Sequence, residues 1–592
     1  MSEEALVMDQ EDLTFCLYDW LDVNGLTKLA RYAEHDREIF DSILDVSREV
    51  AIEHFLPHRR QADLEEPQLI DGKVQLVEAI KPAVDAFAEV GLMSATMDEE
   101  DGGFQLPHVV YRAAFMWFQS ANLATASYPL LTIAAAHLIR EHASQKLIDT
   151  YLEPMLDGRW YGTMNLSEPG IGSSLGDLKT SAARQEDGTY RITGDKMWIS
   201  GGDHELAENI VHLVLARTGG PGTKGLSLFI VPKWLGEPGE LTQRNDVDLV
   251  GLNHKMGWRG TVNTALAYGS GAHAVDGQNG AVGYLIGEEG QGLPYMFLMM
   301  NEARLGVGAA AAALATSSYL HARDFAKAHR QGRPLGDKDP AQPQTTIDQH
   351  PDVRRMLLSA KAYGQGGTAV VMYAARLLDL AEAADDPEER RAAELLVEVL
   401  TPIAKSWTAQ WGLEANELAI QVLGGSGYTR DFPLEQFYRD NRLNPIHEGT
   451  HGIQGMDLLG RKVNLDGGSG FQALMDRMRA TVDAASDADL ANAVGTRVYR
   501  LVEVTEQLRA LDDRATALTN SSAYLEAMGD VVVAWLFLDQ LNALQDRTDE
   551  FAQGKRLTAR YFITHLLPRV DHQFDLLAAT DTLLLDLDAA LL

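Results

Sequence analysis

From residue 39 onward apolar side chains recur three or four positions apart: Ile43, Val46 and Val50, then Ala51 and Phe55. That spacing predicts an amphipathic helix, ended by Pro57. A polar loop with Gly72 follows, and further helices run to about Leu156. Asp101-Gly102-Gly103 before Pro107 predicts a turn between two of them. Leu130 to Ile139, interrupted only by His137, reads as a core helix. At Gly158 the period changes. Tyr190-Arg191-Ile192 before Gly194, His212 to Leu215, and Leu226 to Val231 are β-branched or aromatic runs between turn residues, and predict strands. Short strands without helices between them predict an antiparallel barrel or sandwich, not a parallel sheet.

Helical periodicity returns at Pro294. Three long helices are predicted, about 294–330, 352–385 and 388–423, with Val353, Leu357 and Ala360 striping the second and Leu396, Val399, Leu400 and Ile403 the third. Such lengths predict an up-down bundle. The proline-rich segment from Gly332 to His350 is a loop, and Asp466-Gly467-Gly468-Ser469-Gly470 reads as a linker. Beyond it Leu501, Val504, Leu508 and Leu511 form another helical stripe. The expected organisation is an α+β multidomain chain. Residues 1–38 are an N-terminal extension, 39–158 an N-terminal helical domain, 159–280 a central β domain, 281–465 a C-terminal helical bundle, and 466–592 an additional C-terminal helical domain.

Composition narrows the function. The 592 residues exceed one core; acidic residues (85) outnumber basic ones (51), for a net charge of -34. That argues against nucleic-acid or anionic-membrane binding, but not against an anionic small ligand. One cysteine, Cys16, excludes an intrachain disulfide, suggests a reducing compartment, and sits in an apolar stretch as a packing residue. The acidic N-terminus, with Lys28 its first basic residue, matches neither a secretory signal nor a transit peptide. No run of about 18 apolar residues occurs, so no transmembrane helix is expected and the expected location is cytoplasmic.

The chemistry concentrates in residues 444–454, Asn-Pro-Ile-His-Glu-Gly-Thr-His-Gly-Ile-Gln. Glu448, flanked by Gly449 in a tight turn, is a candidate proton acceptor, and Gly449 lets a flat ligand approach the backbone. His447, Glu448 and His451 also spell H-E-x-x-H, a zinc signature that needs a helix to put both imidazoles on one face. Pro445 just before it and Gly449-Thr450 inside it oppose that helix. No third ligand follows at short spacing, so no metal site is expected. A loop glutamate without chemistry is the bland alternative. Met164 to Ser174, with Ser167-Glu168-Pro169-Gly170-Ile171-Gly172-Ser173, offers backbone and hydroxyl groups to a ring ligand. It is not a dinucleotide fingerprint, since Leu175 fills the third glycine position. Lys196-Met197-Trp198-Ile199-Ser200 offers an indole to cover a planar cofactor, or a strand tryptophan in a core. Gln421 to Tyr428, with Gly424 and Gly425, reads as a helix C-cap or as bare backbone beside a diphosphate. Arg304 stands near the start of a bundle helix, and Arg439 and Asp440 read as a structural ion pair.

Taken together, these five ordered stretches resemble the flavin-dependent acyl-CoA dehydrogenase family over roughly residues 40–465. The extension, the linker and the extra helical domain resemble its long, methylmercaptopropionyl-CoA dehydrogenase-like branch, as do Arg354-Arg355-Met356-Leu357 and Gly449 to Gln454. The resemblance implies noncovalent FAD and α,β-dehydrogenation of an acyl-CoA to a trans-2-enoyl-CoA in fatty-acid catabolism by β-oxidation. Glu448 would take the α-proton while the β-hydrogen leaves as hydride to flavin N5. It implies substrate contacts at Ser173, Arg304 and Gly449. It implies flavin contacts at Leu166, Ser167, Trp198, Ser200 and Thr450, with Gln421, Gly424 and Gly425 supplied by a neighbouring subunit. Arg330 falls where an arginine reaches the neighbour's pyrophosphate. An electron-transfer flavoprotein as acceptor and a homodimer are likewise implied. Some relatives carry the base just before the helix arginine; here that residue is Ala303, and the adjacent Glu302 points to another side of the helix. His447 replaces a frequent tyrosine, and Gly452 a frequent flavin-contacting glutamine. The rivals are an acyl-CoA oxidase using O2 and a flavin-free binding scaffold of the same fold.

Overall fold

The predicted bundle helices form at Gly292–Ala328, Pro351–Ala383 and Pro387–Leu423 in the computed structural model, which describes residues 3–336 and 339–592. Prolines open the second and third, where a helix has no use for the missing N–H. Asp386 caps the third by accepting from the Glu388 N–H at 2.9 Å. Leu396, Val399, Leu400 and Ile403 are all buried, as their spacing requires. Val353 and Leu357 are only half-buried, so the second helix hides its more C-terminal residues.

The chain forms two compact units, one from residues 1–44, 107–120 and 304–592 and one from 45–106 and 121–303. In the first, Ser521–Leu544 is a core helix with Val531, Val532, Trp535 and Leu536 fully buried or nearly so. By length and apolar composition it passes as a membrane span, although no purely apolar run of that length occurs. Its burial accounts for the composition, and its one buried acid, Asp530, is held by Arg569 at 2.6 Å. The N-terminal extension packs here: Phe15 and Cys16 lie against Leu544 and Ala552, and Trp20 Nε1 donates to Asp539 Oδ2 at 2.8 Å. The glycine-rich segment at 466–470 is not an extended linker. Asp466, Gly467 and Gly468 take left-handed backbone and turn the chain directly into the helix Ser469–Ala484. Gly468 and Gly470 are buried, because Arg509 and the Leu395 carbonyl lie where their Cβ atoms would stand.

The second unit carries the β domain. Seven strands are paired edge to edge, with Ser181–Arg184 joining to two of them. Pairing is antiparallel except that Trp160–Asn165 runs parallel to Asn209–Arg217, with a single parallel pair at Ser181. The expected wholly antiparallel sheet is thus corrected: a hairpin lies between the two strands in sequence, so the chain re-enters in its original direction. The strand predicted to end before Gly194 continues to Ser200, since Gly194 fits against Thr180 where no Cβ could. The polar loop around Gly72 is a hairpin, Gln68–Ile70 with Lys73–Gln75. Asp71 and Gly72 both have positive φ, as its two-residue turn demands. The helix His108–His142 breaks at Asn122 (φ -161°, ψ 89°), whose side chain donates to the Phe55 carbonyl at 3.2 Å.

Candidate active site

Glu448 sits in the first unit on a turn between two helices, Leu434–Asn441 and His451–Gly460. Its φ is +54°, uncommon for a residue with a Cβ, and Gly449 follows at +87°. Both are held by their carbonyls. Gln454 Nε2 donates to Glu448 O at 2.9 Å, and Lys405 Nζ donates to Gly449 O at 2.6 Å. Gln454 and Lys405 are fully buried. A Cβ on Gly449 would stand 2.6 Å from Gln454 Nε2, so only glycine fits there. Thr450 caps the following helix, its hydroxyl accepting from the Ile453 N–H at 3.3 Å. Among the described residues no acceptor meets the Glu448 N–H.

Burial pushes the Glu448 carboxyl above the usual range; Arg304 and then Lys405 pull it back. Arg304 is buried on the helix Gly292–Ala328, its own pKa lowered by burial against the favourable charges of Asp457 and Glu448. Lys405 is drawn down to about 7, by burial first. His447 Nε2 donates to Asn444 Oδ1 (3.2 Å), and burial with the Lys405 charge lowers its pKa to about 3, so it is neutral. His451 turns elsewhere, to Glu526 Oε1 at 3.2 Å. The two imidazoles of H-E-x-x-H therefore address different partners.

The second unit holds the other group. Glu168 and Ile171 exchange backbone hydrogen bonds of 2.9 Å, closing the turn that exposes Gly170 and Gly172. Beneath it Lys196, fully buried, donates to the Leu166 carbonyl at 2.8 Å and to Glu168 at 3.2 Å. Glu168 also accepts from the N–H groups of Lys179 and Thr180. Met197 N–H donates to the Ser167 carbonyl at 3.0 Å. The pairing slips between Thr264 and Leu266, and the extra residue throws Trp198 outward at φ +68°, 63% exposed. Ser200 Oγ accepts from Asn263 at 3.2 Å, and Ser173 is exposed.

The family pattern "Acyl-CoA dehydrogenase, N-terminal domain" matches residues 39–159, the middle domain 163–266 and the C-terminal domain 290–463. "Acetyl-CoA dehydrogenase C-terminal like" matches 474–588. The 3-methylmercaptopropionyl-CoA dehydrogenase of Ruegeria pomeroyi is 38% identical over 96% of both chains. The chain belongs to the acyl-CoA dehydrogenase family. A broad-specificity linear acyl-CoA dehydrogenase of Mycobacterium tuberculosis is 31% identical, over 97% of this chain and 98% of its own. Two solved structures share the fold of this family member at 18–19% identity, both with a TM-score of 0.73. They are ACDH-11 of Caenorhabditis elegans in complex with C11-CoA, matched over 94% of this chain and 93% of its own, and an acyl-CoA dehydrogenase of Bacillus anthracis complexed with FAD, over 96% and 91%.

In this acyl-CoA dehydrogenase, then, Arg304, Glu448, Gly449 and Thr450 come together in one unit, and Leu166, Ser167, Trp198 and Ser200 in the other. Gln421, Gly424 and Gly425 are exposed at the end of the Pro387–Leu423 helix. A Cβ on Gly424 or Gly425 would meet nothing within 4 Å. Arg330 lies exposed in the loop after Gly292–Ala328 and donates to the Gln344 carbonyl at 3.0 Å. Glu302 is engaged by His137 Nδ1 at 2.8 Å, and His137 Nε2 by Thr96 at 3.0 Å. Arg439 pairs with Glu435 at 2.7 Å, since i and i+4 align on a helix. Sequence reasoning missed Lys405, and it missed the bracing roles of Lys196 and Gln454 inside stretches it had singled out. A lysine in the apolar run Pro402-Ile403-Ala404-Lys405-Ser406-Trp407 was the available signal.

Proposed function

We propose that this chain is an FAD-dependent acyl-CoA dehydrogenase that introduces an α,β double bond into an acyl-CoA thioester, with Glu448 as the base. The observation that carries this reading is the Glu448 turn. A carboxylate is presented on left-handed backbone, braced by two buried donors, beside buried cations that favour its ionised form. Glu448 takes the α-proton as the α C–H electron pair becomes the new double bond. The Glu448 N–H, which meets no acceptor among the described residues, polarises the thioester carbonyl, an oxyanion-hole role. Gly449 meets the substrate with its backbone, Arg304 holds the charge beneath the base, and Ser173 contacts the substrate.

The residues fit FAD. The exposed Trp198 indole offers a flat apolar face, and added Cβ atoms at Gly170, Gly172, Gly424 and Gly425 would all fill open space. Leu166, Ser167, Trp198 and Ser200 would hold the ring and Thr450 a flavin phosphate or ribityl group; Gln421, Gly424 and Gly425 would serve the diphosphate bound by a second copy, with Arg330 at its pyrophosphate. When bound, FAD supplies the acceptor for the β-hydrogen and its electron pair. An electron-transfer flavoprotein then reoxidises the enzyme, and a homodimer is the working form.

The test is the visible spectrum of purified protein, followed by anaerobic titration with acyl-CoAs of varied chain length. A yellow protein bleached by one chain class, and a yellow Glu448→Gln variant that stays unbleached, is the expected result. Protein that purifies colourless and takes up no FAD would sink the reading. Bleaching of the Glu448→Gln variant would remove Glu448 as the base.

A further inference from the structure

Lys405 is a fully buried lysine on the helix Pro387–Leu423. Its ammonium has one hydrogen-bond acceptor among the described residues, the Gly449 carbonyl at 2.6 Å. Such groups ordinarily use three donors, and burying one costs several kcal/mol unless a counter-charge repays it. If Lys405 served packing alone, a methionine would fill the same volume without that penalty. The charges around it identify the counter-charge. Glu448 is the acid that stabilises the Lys405 cation, and Arg304 the cation that opposes it. On the packed helix His451–Gly460, Asp457 pairs with Arg461 at 2.7 Å and also supports Arg304. Lys462 is paired with Glu398, and His447 is neutral. Asp457 and Glu398 thus have cations of their own, and Glu448 remains for Lys405.

We propose that Lys405 is a positioning residue for Glu448: its buried ammonium clamps the Gly449 carbonyl and holds the neighbouring carboxylate ionised, ready for each turnover. The inference rests on Glu448 being the base. Clamp and charge act on one atom set. The hydrogen bond fixes the backbone of the residue after Glu448, and therefore the direction of its side chain. The positive charge lowers the free energy of the carboxylate relative to the acid. Proton uptake at Glu448 removes the anion that offsets the Lys405 charge while Arg304 still opposes it, which favours loss of the proton once product has left.

The experiment compares Lys405→Met, Lys405→Arg and wild type as holoenzymes. Infrared difference spectroscopy of the substrate-free enzyme follows the Glu448 carboxyl across pH, its band assigned by loss in Glu448→Gln. Anaerobic stopped-flow gives the pH profile of flavin reduction. In Lys405→Met the pH at which Glu448 ionises rises by about one unit or more, and the acid limb of the rate profile moves with it. Lys405→Arg restores both toward wild type, because the charge is retained. Superimposable wild-type and Lys405→Met titrations would overturn the proposal, as would an arginine variant that behaves like the methionine one. If the methionine variant does not fold, Lys405→Gln gives the same comparison. A wild-type Glu448 that keeps its proton to alkaline pH overturns the proposal without any variant. The infrared titration needs no substrate, so it reads Lys405 even if acyl-CoA turnover is absent and the proposed function fails.

Discussion

Glu448 and Gly449 share left-handed backbone for different reasons. Glycine adopts it freely; glutamate does so only where its surroundings hold it. Gln454 and Lys405 do the holding, so the strain is confined to one turn. Gly449→Ala would put a Cβ against Gln454 Nε2. We expect it to destabilise the protein by about 1 kcal/mol or more and to slow flavin reduction by about 10²-fold, since a small misplacement of a base is costly. Urea unfolding and stopped-flow reduction measure the two effects. The turn was legible in the sequence because proline and glycine bracket a single acid. Its braces were not: Lys405 adjoins it only in three dimensions, and Gln454, six residues on, reaches back only because the helix after Thr450 turns it toward the Glu448 carbonyl. Trp198 was legible as a tryptophan beside small residues; its outward throw depends on a slip in register that no local pattern records.

At the scale of elements, the helix His451–Gly460 joins the candidate base to the C-terminal helices. It rests on Ser521–Leu544 through Gly455, where an added Cβ would stand 2.6 Å from the Ser521 carbonyl. His451 adds a contact to Glu526, which also accepts from Gln573 at 3.0 Å. Gly455→Val is expected to cost about 1–3 kcal/mol by overpacking and to lower the reduction rate. Gly425→Ala is the contrasting case: exposed, with nothing within 4 Å, it should leave thermal unfolding unchanged. In the proposed dimer it should weaken FAD retention, measured as cofactor lost on dilution. The long bundle helices were legible to within a few residues because their periodicity spans many turns. The segment at 466–470 was not, because glycine marks both flexible chain and close approach, and here Gly468 and Gly470 serve close approach. The Asp71-Gly72 hairpin carried its signal openly in that dipeptide.

Over the whole molecule, buried neutral histidines cost stability as pH falls. His204 accepts the Leu206 N–H on Nδ1 at 3.2 Å and is lowered to about 3, by burial first and then by Lys233. In the unfolded chain an imidazole titrates near ~6.5. As pH falls the unfolded state therefore takes up this proton first. The contribution of His204 is intact above about 6.5 and drains away toward pH 3, by up to about 3 kcal/mol at pH 4. Urea unfolding of wild type and His204→Gln should show the wild-type advantage at pH 7 shrinking toward pH 4; a constant difference would refute this.

The Asp12–Lys555 pair (2.5 Å) closes the first unit across 543 residues of sequence. Burial raises the Asp12 pKa and Lys555 opposes that rise, so Asp12 is poorly suited to its site until Lys555 arrives. During synthesis at about 5–20 residues per second, that wait lasts on the order of half a minute to two minutes. Phe15 and Cys16 spend it without Leu544 and Ala552, which later cover them. Residues 12–16 are thus made long before the partners that cover and neutralise them, and their final docking waits on a stretch of chain 543 residues further on.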